Sequence, residues 1–259
     1  MFFVDTGGGV FKVDAQGKLT PQEGPAFHWM TLDPSGRFRR ARLPQGSAFE
    51  MTVVGGNPAL ILSSDFPVTI GRASALYFPE AGRDERLQVL RLTPDGARSV
   101  LATLPRSTES GPLRWLNGLA TGPGDSIFYT ENKAVRRIDP QGKISTVAVN
   151  VRVSGCARIP GIGAELGPYL RGLDVASDGT VYVAATGCGA VLRISPQGKV
   201  SPVLRTERPW SPTSVAVAGQ DLYVLEFLHT ASDNRREWIP RVRKVSREGR
   251  ITLVAAVRR

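Results

Sequence analysis

Apolar residues recur along the chain in short runs broken by glycine and proline, and no segment keeps a helical period. In "GLDVASDGTVYVAATGCGAVLRI", Gly172 to Ile194, Val181 and Val183 alternate with Tyr182 and Ala184. Both sides of that strand are therefore non-polar, the pattern of a strand covered on each face. Similar aromatic strands stand at "FFVD" (Phe2), "ALYFPE" (Ala75), "SIFYTE" (Ser126) and "DLYVLE" (Asp221). Each is followed by a phrase of a basic residue, an aliphatic one, a turn on Gly and a second basic residue. The copies read "KVDAQGKL" at Lys12, "RIDPQGKI" at Arg137, "RISPQGKV" at Arg193 and "KVSREGRI" at Lys244, with a looser "RLTPDGAR" at Arg91. Each phrase predicts the end of one strand, a tight turn and the start of the next.

The repeat amounts to four short strands in roughly 40–55 residues, the spacing of propeller blades. The expected fold is an all-β, six-bladed β-propeller filling one domain, residues 1–259, with blades at about 1–22, 25–64, 66–105, 113–150, 169–207 and 212–257. The second blade matches least well: "FHWMTLDPSGRF" has no clean third strand before "NPALILSSDF". The first blade starts at its second strand, and the last already has all four. The first blade is thus expected to lack its inner strand, through either an incomplete blade or residues upstream of Met1.

Composition changes this picture little. Apolar content of 41% is enough for a sizeable core, and the net charge of +10 comes mostly from scattered arginines. Dispersed cations argue against a nucleic-acid face, which needs clustered Lys and Arg with exposed aromatics. No apolar run is long enough to span a bilayer. "MFFVDTGGG" has no basic n-region and no apolar h-region, so it is not a signal peptide. A leader upstream of Met1 would direct the chain to the periplasm or the exterior; without one it is cytoplasmic. The expected partner is a small molecule, and the expected state a monomer.

"GLDVASDGTVYVA", "RIDPQGK" and "LYVLE" resemble the NHL repeat and the broader gluconolactonase–regucalcin-like group of six-bladed propellers, over nearly the whole chain. The resemblance carries architecture more than function, because propellers host hydrolases, lyases, binders and scaffolds. In gluconolactonase-like enzymes, an Asn in an "NG" pair is similar to a divalent-metal ligand, with a Glu near the first blade and an Asp in a "DG" pair one blade on. Here Asn117-Gly118 supplies the Asn, and "EGP" at Glu23 looks like the Glu motif. The "DG" slot, however, reads Arg171-Gly172. The resemblance thus implies a divalent metal such as calcium at Asn117, while a cation in place of a carboxylate takes charge away from that site.

Residues that break the repeat at the channel mouth are the candidate site. At the entrance to the inner strand these are His28 with Trp29, Asp65 or Phe66, Asn117, Arg171 and Thr213. After the second strand come Glu80, Glu131 and Glu226, whose expected use is to bind loop amides or a neighbouring Arg. Glu226 also opens the long loop "EFLHTASDNRREWIPRV", which carries His229, Arg235, Arg236 and Trp238. Trp210, with Trp29 and Trp115, forms either an aromatic rim for a flat ligand or packing between blades. Cys156, in the insert "SGCARIPGIGAELGPYL", and Cys188 both map to the mouth. The expected arrangement is a disulfide between them that pins the insert, with two free thiols as the alternative. Zinc-finger spacing and a G-x-S-x-G motif are both lacking, and no catalytic residue can be named.

The expected function is binding of a small anionic or sugar-like ligand through His28, Trp29, Asn117, Arg171, Thr213, Glu226 and His229. The alternatives are a lactone or ester hydrolase of the gluconolactonase-like kind and a protein-interaction scaffold.

Overall fold

The structure, a computed structural model, describes residues 2–5, 10–13, 19–22, 31–32, 38–39, 61–62, 69–71, 75–82, 86–93, 97–105, 116–156, 167–228 and 239–256. Within these it is all-β, apart from two single 3-10 turns at Pro123–Asp125 and Thr186–Cys188. Four chain-consecutive antiparallel sheets follow one another. The first has β7 (Thr69–Ile70), β8 (Leu76–Ala81), β9 (Leu87–Leu92) and β10 (Arg98–Thr103). The next has β11 (Gly118–Thr121), β12 (Ile127–Thr130), β13 (Val135–Ile138) and β14 (Ile144–Ala148). Then come β15 (Leu170–Val175), β16 (Val181–Ala185), β17 (Ala190–Ile194) and β18 (Val200–Arg205). The last is β19 (Trp210–Ala218), β20 (Asp221–Leu228), β21 (Ile239–Val245) and β22 (Ile251–Ala256).

A fifth sheet corrects the sequence-based expectation of a missing strand. β1 (Phe2–Asp5), β2 (Val10–Val13) and β3 (Leu19–Gln22) form an antiparallel meander. Its fourth strand is β6 (Ile61–Leu62), which pairs in parallel with Phe3 and Val4. Ile61 and Leu62 therefore do not serve the 25–64 repeat to which the sequence pattern assigned them. What the structure describes between β3 and β6 is the two-stranded pair β4 (Thr31–Leu32) and β5 (Phe38–Arg39).

The first strand of each consecutive sheet packs beside the first strand of the next: β7 against β11, β11 against β15, β15 against β19, and β19 against β6. The sheets thus radiate from a set of inner strands, and apolar side chains fill the wedges between them. Tyr77, Val89, Leu119, Ile127 and Ile138 fill the first wedge. Phe128, Leu170, Val181, Val183 and Leu192 fill the second, and Val191, Leu204, Val215, Val224 and Val245 the third. Val181 and Val183 are fully buried, as their two-sided apolar pattern requires.

The recurrent phrase has a register explanation. Its first basic residue lies directly across from the aromatic of the preceding strand in every four-stranded sheet described. The pairs are Phe3–Lys12, Tyr77–Arg91, Phe128–Arg137, Tyr182–Arg193 and Tyr223–Lys244. Its glycine closes the turn. Gly142, Gly198 and Gly249 sit at φ of 82°, 81° and 81°, a region that residues with a Cβ avoid. Equivalent backbone bonds, Asp139 N to Lys143 O, Ser195 N to Lys199 O and Ser246 N to Arg250 O, pin the three turns.

Candidate functional site

In the four chain-consecutive sheets the inner strand runs antiparallel to the second, so the start of each inner strand and the end of the next strand lie at one end of the sheet. There the inner strands come very close. A Cβ on Gly118 would sit 2.5 Å from the Arg171 carbonyl oxygen, and one on Gly172 would sit 2.8 Å from Ser214 Cα. The glycine of the "NG" and "RG" pairs is therefore a packing requirement. In β15 the register slips between Leu170 and Leu173, and in β19 between Pro212 and Ser214. Arg171 and Thr213 thus stand in bulges, where a residue leaves the ladder and its side chain can be re-aimed. Asn117 occupies the matching place just ahead of β11, its N–H donating to the Thr130 carbonyl at 3.2 Å.

Asn117 and Arg171 are brought together across the junction of two sheets. The Asn117 amide nitrogen donates to Asn132 Oδ1 at 3.0 Å, and the Asn132 carbonyl accepts from Leu170 N at 3.0 Å. The Thr130 hydroxyl donates to the Arg171 carbonyl at 2.8 Å. The Arg171 guanidinium carbon lies 5.8 Å from the centre of the Tyr169 ring. Tyr169 has φ of 45°, a strained conformation for an aromatic residue and the kind that collects at functional sites. No pattern in the sequence marks Asn132 or Tyr169.

Two other candidates are committed to the framework. Thr213 is buried, and its hydroxyl donates to the Leu225 carbonyl at 3.4 Å. Glu226 has no exposed surface. Its carboxylate accepts from Arg241 Nε at 2.6 Å, from Arg243 Nε at 2.8 Å and from Arg243 Nη2. The neighbouring slots follow the same rule, Glu131 pairing with Arg136 at 3.3 Å and Glu80 with Arg98. Trp210 lies against the Arg241 guanidinium, 3.9 Å from ring centre to guanidinium carbon. Glu23, His28, Trp29, Asp65, Phe66, Trp115, His229, Arg235, Arg236 and Trp238 fall outside the described residues.

The cysteines form a disulfide, Cys156 to Cys188, with Cα atoms 4.6 Å apart. The start of the insert is held further by Val151 N on the Lys133 carbonyl at 2.9 Å. Arg205 also donates to the carbonyls of Ser154 and Gly155. Below the mouth, Asp174 of β15 accepts from Val175 N at 2.8 Å and from Val217 N on the neighbouring inner strand at 2.7 Å. Desolvation pushes its carboxyl up to about 6, against the pull of those two amides.

Among the described residues no group of three His, Cys, Asp or Glu side chains converges. The Asn117 amide is engaged by another amide, and the slot one sheet on holds a guanidinium.

No protein-family model matches the sequence, and no curated protein does. Solved structures do match by shape. A streptogramin B lyase superposes with a TM-score of 0.58 at 13% identity, over 98% of this chain and 78% of that one. The calcium-binding protein regucalcin from Agrobacterium tumefaciens gives 0.57 at 15%, over 90% and 79%. A protein assigned as a gluconolactonase gives 0.53 at 19%, over 86% and 83%. The chain therefore has the β-propeller fold of the gluconolactonase–regucalcin group and the streptogramin B lyases. The resemblance read from its repeats holds at the level of fold.

Proposed function

We propose that the chain is a six-bladed ring of the gluconolactonase–regucalcin type that binds a small anionic, sugar-like ligand at its mouth. The carrying observation is Arg171 in the β15 bulge, beside a strained Tyr169 and next to the Asn117–Asn132 amide pair. A guanidinium offers paired donors matched to a carboxylate, and the amides and the phenol suit hydroxyl groups. Arg171 holds the slot that a carboxylate fills in the metal-dependent relatives, so anion recognition replaces metal binding there. The place of His28, Trp29 and His229 in the sequence repeat supports counting them among the proposed ligand-binding residues.

The test is calorimetric titration with gluconate. Arg171→Ala should weaken binding at least tenfold, with Tm close to that of the parent, and Arg171→Lys should fall between. Unchanged gluconate affinity in Arg171→Ala overturns the reading, as does an unfolded Arg171→Ala beside a fully competent Asn117→Ala. A second reading, lactone hydrolysis, draws on the gluconolactonase-like neighbour. Turnover of glucono-δ-lactone that is lost in Asn117→Ala would establish it.

A further inference from the structure

Among the described residues, the buried charges around Glu226 do not balance. Glu226 is fully buried, and the side chains of Arg241 and Arg243 are 15% and 13% exposed. Among the described residues, one carboxylate thus serves two guanidiniums, which leaves one positive charge in a nearly dry place without a matching carboxylate there. Buried charges are ordinarily matched, because removing an ion from water costs several kcal/mol, on the order of a whole domain's stability. A second observation points the same way. Arg241 Nη2 is buried and has no hydrogen-bond partner among the described residues. An unsatisfied donor on a charged group is costly on its own account. The Arg241 plane is fixed against Trp210, and its Nε is spent on Glu226, so the guanidinium cannot swing out without breaking both contacts.

The geometry points to an oxyanion subsite. We infer that Arg241 and Arg243, backed by Trp210, bind a carboxylate or phosphate group at the mouth end of β20 and β21. Arg241 lies directly opposite Glu226, and Arg243 stands two residues on, on the same face of β21. Both therefore converge on one spot, where a second oxyanion would complete the pairing that Glu226 begins. This subsite lies in the last sheet and uses none of the residues that carry the Arg171 reading.

Inorganic phosphate and acetate are the probes, read as Tm shifts against chloride at equal ionic strength. An oxyanion at tenfold its Kd should raise Tm by about 3–6 °C. A larger effect of phosphate marks the subsite as phosphoryl-directed, and a larger effect of acetate as carboxylate-directed. Arg243→Gln restores one-to-one pairing with Glu226, so it should fold and lose the shift. Glu226→Gln should melt lower in chloride and gain at least twice the parent's shift. Arg171→Ala should keep the full shift, which separates this subsite from the site proposed above. An unchanged shift in Arg243→Gln overturns the inference, as does the absence of any shift in both the parent and Glu226→Gln.

Discussion

At the scale of single residues, glycine and aspartate on the inner strands are where small changes should matter most. A methyl group on Gly118 would meet the Arg171 backbone carbonyl at 2.5 Å, with Leu173 Cδ2 and Thr130 Oγ1 each at 3.0 Å around it. Gly118→Ala should therefore cost about 1–3 kcal/mol in urea unfolding, the usual range for overpacking. The outcome to exclude is an unchanged midpoint. Asp174 makes a prediction in pH. Its folded-state carboxyl is raised from 3.8 to about 6, so the native state holds the proton more tightly than the unfolded chain. Stability linked to this group is thus greatest below about pH 4 and falls as pH rises through about 6. Asp174→Asn should flatten Tm against pH across that window relative to the parent; parallel profiles would show that burial does not govern this carboxyl. The slot residues were legible in sequence as departures from the frame, but their uses were not. Glu226 resembled a loop carboxylate open to ligand, yet the alternation in "RVRK" sets Arg241 and Arg243 on one face opposite it. That spacing was the available signal.

At the scale of elements, the strands were legible because an aromatic strand and a basic, glycine-turn phrase recur together, and hairpin register sets the basic residue across from the aromatic although the connection between them varies in length. β6 was not legible for the opposite reason. A two-residue strand has no period, and its parallel partner lies far away in sequence. The disulfide was readable only as one of two alternatives, since loop geometry decides whether two thiols meet. Once formed, it ties Cys156 to Cys188 across a sequence separation of 32. Chain-entropy arguments give such a crosslink about 3–4 kcal/mol. Reduction should lower Tm accordingly, and Cys188→Ser should abolish the difference between oxidised and reduced protein. A reductant without effect on Tm in the parent would contradict the bond.

At the scale of the whole molecule, the net charge of +10 bears on ligand capture rather than on the fold. If the mouth takes an anion, raising NaCl from about 50 to 500 mM should weaken gluconate binding several-fold by screening. Salt-independent affinity would instead favour recognition through the amides and aromatic rings. The sheet order carries a consequence for synthesis. The first sheet recruits β6 from a segment about sixty residues into the chain, while the last sheet is one unbroken run from Trp210 to Ala256. On a ribosome, the first sheet can gain its innermost strand long before the final hairpins have emerged. The last sheet can then form as a self-contained meander and seat itself between β15 and β6. Docking of this sheet then joins finished pieces, and its rate should follow synthesis of the Trp210–Ala256 segment.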